Sequence, residues 1–318
     1  MNFTTQIPIP KTQKPIDYNS KIVSLGSCFA ENMAEKFEYF KFQNNCNPFG
    51  IIFNPVSIER LIERVVNNEI FTDEDVFFYN ESWHCYQVHS DCSTASKDEL
   101  LKSLNTILIT TQKNILEASH IIITYGTSWV YRNIESKEIV ANCHKVPQKQ
   151  FCKEVLSVAT TAQSIAKTLE FIQTINPNCS VIFTISPVRH IKDGFVENQA
   201  SKANLIAATY SLLQANNSQL NTAYFPSYEI MMDELRDYRF YAEDMLHPSQ
   251  VAIHYIWERF FETQISASIH PIMNEICSVQ KGLAHRPFNP NSESHQKFLL
   301  QLQNKIAELQ KVLPHLQF

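Results

Sequence analysis

The chain alternates short apolar segments with longer segments in which apolar residues recur every three or four positions. Segments rich in β-branched and aromatic residues predict strands at residues 21–25, 119–125, 180–185 and 220–225, with a weaker one at 41–46. Helical spacing of apolar residues predicts amphipathic helices at 153–175 and 197–214. This alternation predicts an α/β domain with a doubly wound parallel sheet.

The pattern changes after about residue 260. Residues 261–281 and 293–312 each predict a helix, and an irregular segment rich in Pro and Asn separates them. We therefore divide the chain into a domain of residues 1–260 and a helical C-terminal extension of residues 261–318. The apolar stripe of the last helix predicts that it packs on the main domain rather than dimerises.

Composition and charge exclude two classes of partner. The chain is 44% hydrophobic and 19% charged, and its formal net charge is -5, so it lacks the basic surface that nucleic-acid phosphates require. No apolar run reaches the length of a membrane span, and the first residues lack the apolar core of a signal peptide. We expect a cytoplasmic protein without a nucleic-acid or membrane partner, whose cysteines are free thiols.

The glycines are too far apart to form a phosphate-binding loop. No two of the five lie within twenty residues of each other: they are Gly26, Gly50, Gly126, Gly194 and Gly282. A G-x-G-x-x-G dinucleotide turn and a G-x-x-x-x-G-K loop both require closely spaced glycines. We therefore expect neither Rossmann-type cofactor binding nor Walker-type nucleotide hydrolysis, and no cofactor.

The segments that follow the strands are expected to form one site. In a doubly wound sheet, ligands bind beyond the carboxyl ends of the strands. Four segments follow the strands directly and a fifth follows the last strand at a distance: residues 26–30, 47–50, 126–129, 186–190 and 244–248. Candidate chemistry is therefore sought in these five segments first.

Asp244 and His247 stand three residues apart in the last of these segments. An aspartate at that spacing can accept a hydrogen bond from one imidazole nitrogen and leave the other nitrogen as base for a nucleophile. The structural alternative is a helix-capping aspartate with a surface histidine.

Ser27 and Cys28 place a hydroxyl and a thiol where the first strand turns into a helix. The N–H groups at a helix N-terminus lower thiol pKa values and stabilise anions. The alternative is that Ser27 caps the helix and Cys28 packs as a small buried hydrophobe.

Five separated parts of the chain together carry a family resemblance. In chain order they are KIVSLGSCFAENM with NPFGIIFNP, ITYGTSWVY, ANCHKVP, SPVRHIKDGFVEN and LRDYRFYAEDMLHPS, which span about residues 20–260. They resemble the GSCFA family, which is itself similar to the SGNH/GDSL hydrolase superfamily. The resemblance implies a flavodoxin-like three-layer α/β/α fold with a parallel sheet and a catalytic site at the strand ends.

The resemblance also implies roles for particular residues. The D-x-x-H block makes Asp244 the orienting acid and His247 the general base. Ungapped alignment of the first block favours Cys28 as nucleophile, with Ser27 as the alternative. A thiol nucleophile forms a thioester, which suits acyl transfer as well as hydrolysis. Gly50 matches the glycine whose backbone N–H helps to bind the oxyanion.

The block that supplies the second oxyanion donor departs from the family pattern. It falls on residues 126–129, where Ser128 stands in place of the asparagine. The Ser128 hydroxyl or the Asn142 amide is a candidate replacement, and loss of one such donor typically costs two to three decades in rate. Gly126 and Thr127 are expected to line the substrate site.

Residues 83–92 hold four potential zinc ligands within nine positions. Their alternation predicts a strand, on which His84 and Cys85 point to opposite faces. We therefore expect no metal site, and the functional interpretation of this segment is that His89 or Trp83 faces the substrate.

Two further polar residues are candidates for substrate binding. His144 lies in a loop after a predicted hairpin and either lines the site or belongs to a plain turn. Arg189 lies at a strand end, where it can hold a carboxylate or phosphate, including that of an acyl carrier. The alternative for Arg189 is an ion pair with Asp193 or Glu197.

The sequence thus predicts an acyl-ester enzyme, either an esterase or an O-acyltransferase, that acts on an acylated carbohydrate or a similar small ester. The missing signal segment favours transfer from an intracellular donor such as acetyl-CoA. The alternative is a non-catalytic protein of the same fold that binds a carbohydrate or acyl ligand.

Overall fold

A computed structural model describes residues 5–215 and 221–318. In chain order the strands are β1 (Lys21–Gly26), β2 (Gln43–Cys46), β3 (Val76–Tyr79), β4 (Ser82–Cys85), β5 (His120–Tyr125), β6 (Trp129–Asn133), β7 (Ile139–Val140), β8 (Phe151–Val155), β9 (Ser180–Ile185) and β10 (Asn221–Phe225). The helices are α1 (Cys28–Tyr39), α2 (Pro55–Val66), α3 (Lys97–Glu117), α4 (Val158–Ile175), α5 (Phe195–Ala215), α6 (Ser227–Glu229), α7 (Gln250–Gln264), α8 (His270–Leu283) and α9 (Glu293–Val312).

The centre of the fold is a parallel sheet of five strands in the order β10-β9-β5-β1-β2. Its three inner strands are buried along almost their whole length, which explains their continuous apolar sequences. Residue 220, where the last strand was predicted to begin, lies outside the described residues. The predicted doubly wound parallel sheet is confirmed.

Alternate residues of the inner strands enter two separate hydrophobic clusters. On β5, Ile121 and Ile123 pack in one cluster with α2, α3, α4 and α5, whereas Ile122 packs in the other with α1, α7, α8 and α9. This follows from the two-residue period of a strand. The predicted three-layer α/β/α architecture is therefore confirmed.

Two small antiparallel sheets are added to this frame. β3 and β4 form a hairpin, and β7-β6-β8 form a three-stranded sheet inserted between β5 and α4. The segment 83–92 is strand only as far as Cys85. Among the described residues, no group of three or more His, Cys, Asp and Glu side chains is arranged to hold a metal ion.

The C-terminal helices differ in part from the sequence pattern. The helix predicted at 261–281 is divided, because α7 ends at Gln264 and α8 begins at His270, whereas α9 covers residues 293–312 as predicted. The boundary predicted after residue 260 falls inside α7. Over the described residues, no helix combines the length and the apolar character needed to cross a membrane.

The packing of α9 gives a stability prediction with a matched control in the same helix. Leu302 is 6% exposed and contacts α8 at Gly282, so Leu302→Ala should lower the free energy of unfolding by about 2–5 kcal/mol. Leu300 is 58% exposed, so Leu300→Ala should change it by no more than about 0.5 kcal/mol. Urea denaturation followed by circular dichroism measures both; equal effects would contradict the packing of α9 on this core.

Candidate active site

A cleft of about 720 Å³ opens at the carboxyl ends of the sheet strands. Residues from the segments that follow β1, β2, β5 and β9 and from the loop before α7 line this cleft. These are the segments that the strand pattern of the sequence brings to one common site. Cys28, Thr127, Arg189 and His247 are among the residues that line the cleft.

The turn from β1 into α1 depends on the glycine at its start. Gly26 has φ +138°, and a Cβ there would overlap the backbone carbonyl of Thr124 on β5. The Gly26 N–H donates to Asn47 Oδ1 at 2.8 Å, and the Ser27 N–H donates to Thr124 O at 3.1 Å. The turn is thus fixed against both neighbouring strands, and it can be fixed so closely because residue 26 has no side chain.

Ser27 and Cys28 have different positions in this turn. Ser27 is 1% exposed, caps α1, and accepts a hydrogen bond from the Phe29 N–H at 3.3 Å. Cys28 is the first residue of α1, is partly buried and lines the cleft. The structure therefore places Cys28 in the cleft wall, whereas the Ser27 hydroxyl belongs to the helix cap.

Opposing influences act on the Cys28 thiol. Burial and the carboxylate of Glu31 raise its pKa, whereas the backbone N–H groups of Cys28 and Phe29 and the ammonium of Lys202 lower it. The raising influences are larger, so the pKa of Cys28 lies above its ordinary value. A nucleophilic role for Cys28 therefore requires a base that removes its proton.

Asp244 and His247 form the hydrogen-bonded pair that their spacing predicts. Asp244 Oδ2 accepts from His247 Nδ1 at 2.6 Å, and Asp244 Oδ1 accepts from the backbone N–H groups of Leu246 and His247 at 2.8 and 3.0 Å. These hydrogen bonds lower the pKa of Asp244 to about 2. With Nδ1 engaged, Nε2 of His247 is the nitrogen left for exchange with a substrate or nucleophile.

His247 and Cys28 line the same cleft without a hydrogen bond between them in the described part of the chain. Over the described residues, no hydrogen bond joins His247 to Cys28 or Ser27. Catalytic hydrogen bonds are often long in unliganded enzymes and tighten only when substrate binds. The two residues therefore share one cleft, and no hydrogen bond fixes their side chains to each other.

Two of the predicted oxyanion donors are engaged elsewhere, which corrects the sequence-based assignment. The Gly50 N–H donates to Asn47 O at 2.8 Å within its own turn, and Gly50 packs against His89 outside the cleft wall. Ser128 is fully buried, and its hydroxyl donates to Ser201 O at 3.2 Å while its N–H donates to Ser201 Oγ at 2.8 Å. Neither residue offers a donor to the cleft.

Asn142 and Thr127 supply donors that do face the cleft. Asn142 lines it and uses Oδ1 to accept the His144 N–H at 2.8 Å, which leaves its side-chain amide without an acceptor in the described part of the chain. Thr127 also lines the cleft, and its backbone N–H has no acceptor among the described residues. Because the Gly126 carbonyl points at Lys202, the trans peptide directs the Thr127 N–H away from that lysine.

Two other residues predicted to line the site are buried behind its wall. His144 is 5% exposed, donates from Nε2 to Cys85 O at 2.8 Å, and has its pKa lowered to about 4 by burial. Gly126 lies outside the wall and uses its carbonyl to accept from Lys202. Both predictions are corrected: these residues support the site from behind.

His89 and Arg189 do line the cleft. The His89 ring accepts a hydrogen bond from the Asp91 N–H at 3.4 Å. The Arg189 N–H donates to Leu246 O and its side chain to Met245 O, both at 3.1 Å. The Arg189 guanidinium also lies 5.2–5.7 Å from the ring centroids of Phe195, Tyr238 and Tyr241. Arg189 thus braces the loop that carries the Asp–His pair.

The alternative role for Arg189, an ion pair with Asp193 or Glu197, is not found among the described residues. Asp193 pairs with Lys153 instead. The Lys153 ammonium also lies 5.5 Å from the Trp129 ring and 5.2 Å from the Tyr131 ring. Trp129, Tyr131 and Lys153 thus form an aromatic and cationic part of the cleft wall, which the inserted sheet β7-β6-β8 contributes.

One buried residue beneath the cleft, Lys202, was missed in the sequence, whereas His190 belongs to the segment 186–190 that the sequence places at the site. His190 stacks on Phe53 with ring centroids 5.5 Å apart, and burial with the nearby charges of Lys202 and His247 lowers its pKa to about 3. Lys202 is buried beneath the turn after β5. The sequence signal for Lys202 was the position of a lysine on the inner face of the amphipathic helix predicted at 197–214.

Family models match nearly the whole described chain. The model of the GSCFA family matches residues 21–260, and that of the GSCFA domain protein, C-terminal domain, matches residues 276–318. The first match contains the sheet and every segment that lines the cleft. A comparison with curated protein sequences finds no match.

Several solved structures are similar to this chain at low sequence identity. An acetyl esterase mutant with acetate ion is 9% identical, with 81% of this chain and 99% of that chain covered and a TM-score of 0.38. A carbohydrate esterase family 3 from Talaromyces cellulolyticus is 8% identical, with 80% and 99% covered and a TM-score of 0.37. The Clostridium thermocellum family 3 carbohydrate esterase is 9% identical, with 81% and 98% covered and a TM-score of 0.37.

Proposed function

We propose that this chain, which belongs to the GSCFA family, is an acyl-ester enzyme that uses Cys28 as nucleophile. One observation carries the proposal: the Cys28 thiol and the Asp-paired His247 line the same cleft at the strand ends. A thiol, a histidine base and an aspartate that orients the base are the groups that nucleophilic acyl chemistry requires.

The proposed reaction has two halves. His247 Nε2 takes the proton of Cys28, whose sulfur attacks the acyl carbonyl carbon and forms a tetrahedral oxyanion. The ester C–O bond then breaks, the leaving alcohol takes the proton from His247, and the acyl group stays on Cys28 as a thioester. In the second half an acceptor hydroxyl loses its proton to His247 and attacks the thioester, which releases the acyl product and restores the thiol.

Asp244 supports both halves through its charge. Since its pKa is about 2, its carboxylate stays ionised throughout the neutral range. It fixes the tautomer in which His247 Nδ1 carries a proton, and it stabilises the imidazolium formed in each half.

The proposed oxyanion site uses donors that replace those of Gly50 and Ser128. The Thr127 N–H, the Asn142 amide and the N–H of Cys28 at the start of α1 are candidates in the cleft wall. Donors fixed in advance by a strand-end turn need little reorganisation when negative charge develops.

The substrate is proposed to be a small ester, with an acylated carbohydrate as the favoured class. The cleft volume of about 720 Å³ lies within the range of roughly 300–1,000 Å³ that is usual for small-molecule sites. The rings of Trp129 and Tyr131 offer flat apolar faces to a sugar ring or an acyl chain. Water as acceptor gives an esterase. A sugar hydroxyl as acceptor with acetyl-CoA as acyl donor gives an O-acyltransferase; the bond broken in the first half is then the C–S bond of the donor, and the CoA thiol leaves with the proton from His247.

Steady-state hydrolysis of p-nitrophenyl acetate tests the proposal. Cys28→Ala should reduce kcat/KM to near the uncatalysed level, and His247→Ala should reduce it by about 10²–10⁴-fold, because each removes a group that acts in the transition state. Cys152→Ala and His254→Ala are matched controls that should keep wild-type rates, because both residues are exposed and lie outside the cleft wall.

Two outcomes would contradict this assignment. If Ser27→Ala abolishes turnover while Cys28→Ala does not, the nucleophile is the serine. If wild type and His247→Ala are equally inactive with p-nitrophenyl acetate and with acetyl-CoA, the chain is a binding protein rather than an enzyme.

The Asn142 amide provides a separate prediction about the oxyanion. Asn142→Asp keeps the oxygen that accepts the His144 N–H but loses the amide donor, so kcat should fall by about 10²–10³-fold. Asn289→Asp is the matched control, because Asn289 makes the same type of turn in an exposed loop. An unchanged kcat for Asn142→Asp would exclude its amide from the oxyanion site.

A further inference from the structure

Lys202 on α5 is a lysine buried directly beneath the cleft. It is 1% exposed, and its ammonium donates to Gly126 O at 2.6 Å and to Ser186 O at 2.7 Å. These carbonyls lie just after the ends of the adjacent strands β5 and β9. The charge is therefore held at a fixed point below the strand ends that form the site.

Hydrogen bonds bring the start of α1 close to the turn that holds this charge. The N–H of Ser27, one residue before Cys28, donates to the carbonyl of Thr124, two residues before Gly126, at 3.1 Å. Lys202 is hydrogen-bonded to Gly126. The Lys202 ammonium lowers the pKa of Cys28, and a thiolate at Cys28 raises the pKa of Lys202, as reciprocal coupling requires.

The other charged and titratable groups around the pair are few. On the Cys28 side, Glu31 opposes the lysine by raising the thiol pKa, and His247 lies across the cleft. On the Lys202 side, Glu229 favours the ammonium, and the Tyr228 ring centroid lies 5.4 Å from Nζ. His190 faces the ammonium and has its own pKa lowered by it.

A purely structural role does not require a charge at this position. Burial of an ammonium among carbonyls is costly, and apolar residues of similar volume often stabilise such sites better. Burial lowers the pKa of Lys202 to about 7, so its charge is held only at neutral pH and below. The protonation state of such a group responds to a second charge that forms next to it.

We propose that Lys202 and Cys28 form a charge-coupled pair, in which the Lys202 ammonium is the counter-charge of the Cys28 thiolate. Lys202 is then a positioning residue that acts through Cys28. The inference deepens the proposed function and rests on Cys28 as its nucleophile, but ionisation of the thiol is measurable without any ester.

The test measures the rate at which iodoacetamide alkylates Cys28 between pH 5.5 and 10, quantified by peptide mass spectrometry. Wild type should react about tenfold faster than Lys202→Met at pH 6, where Lys202 is charged, because one pKa unit is a tenfold change in thiolate. The ratio should fall toward one as the pH rises and Lys202 becomes neutral. Lys113→Met is the matched control, because Lys113 is exposed on α3, lies outside the cleft wall and should leave the profile unchanged.

A difference that is the same at every pH would reflect altered access to the thiol and would overturn the proposal, as would no difference.

Wild type alone provides a second measurement that does not depend on the folding of a variant. A coupled pair should show a break near pH 7 in the logarithm of the Cys28 alkylation rate, because Lys202 loses its proton there and its charge then no longer favours the thiolate. A single titration without that break would refute the coupling. Coupling without ester turnover would refute only the proposed function.

Discussion

The close approach of β1 and β5 at their carboxyl ends is the contact on which the rest of the site depends. Gly26 allows it, because any side chain there would overlap the carbonyl of Thr124. The Ser27 N–H is bonded to that carbonyl, so α1 begins directly beside the next strand. Cys28 consequently lies in the cleft wall, whereas Ser27 is used to cap the helix.

Helix α5 supports the other side of this contact from below. Asn198 accepts the His190 N–H after β9, Ser201 holds the turn after β5 by hydrogen bonds to Thr127 and Ser128, and Lys202 joins the two strand ends. The cleft wall is thus hydrogen-bonded to a helix that contributes no residue to it. This arrangement allows a buried charge to act on the site without contact with the substrate.

The sequence predicts those features that depend on neighbouring residues. Buried strands are recognisable because both of their faces are covered, and the Asp244–His247 pair is recognisable because one short loop contains both residues. The Gly50 and Ser128 assignments were wrong, because the partners that occupy their donors depend on local turn geometry and on a helix 73 residues away in sequence. Lys202 was missed for the same reason, because only the fold brings its partners Gly126 and Ser186 to it.

The central claim is that Cys28 carries the acyl group. The most direct measurement is acid-quenched peptide mapping after brief incubation with p-nitrophenyl acetate, with and without neutral hydroxylamine, which cleaves thioesters much faster than ordinary esters. The account predicts an acetyl group on Cys28 that hydroxylamine removes and that does not form in the His247→Ala variant. An acetyl group on Ser27 that survives hydroxylamine, or no adduct with either protein, would contradict it.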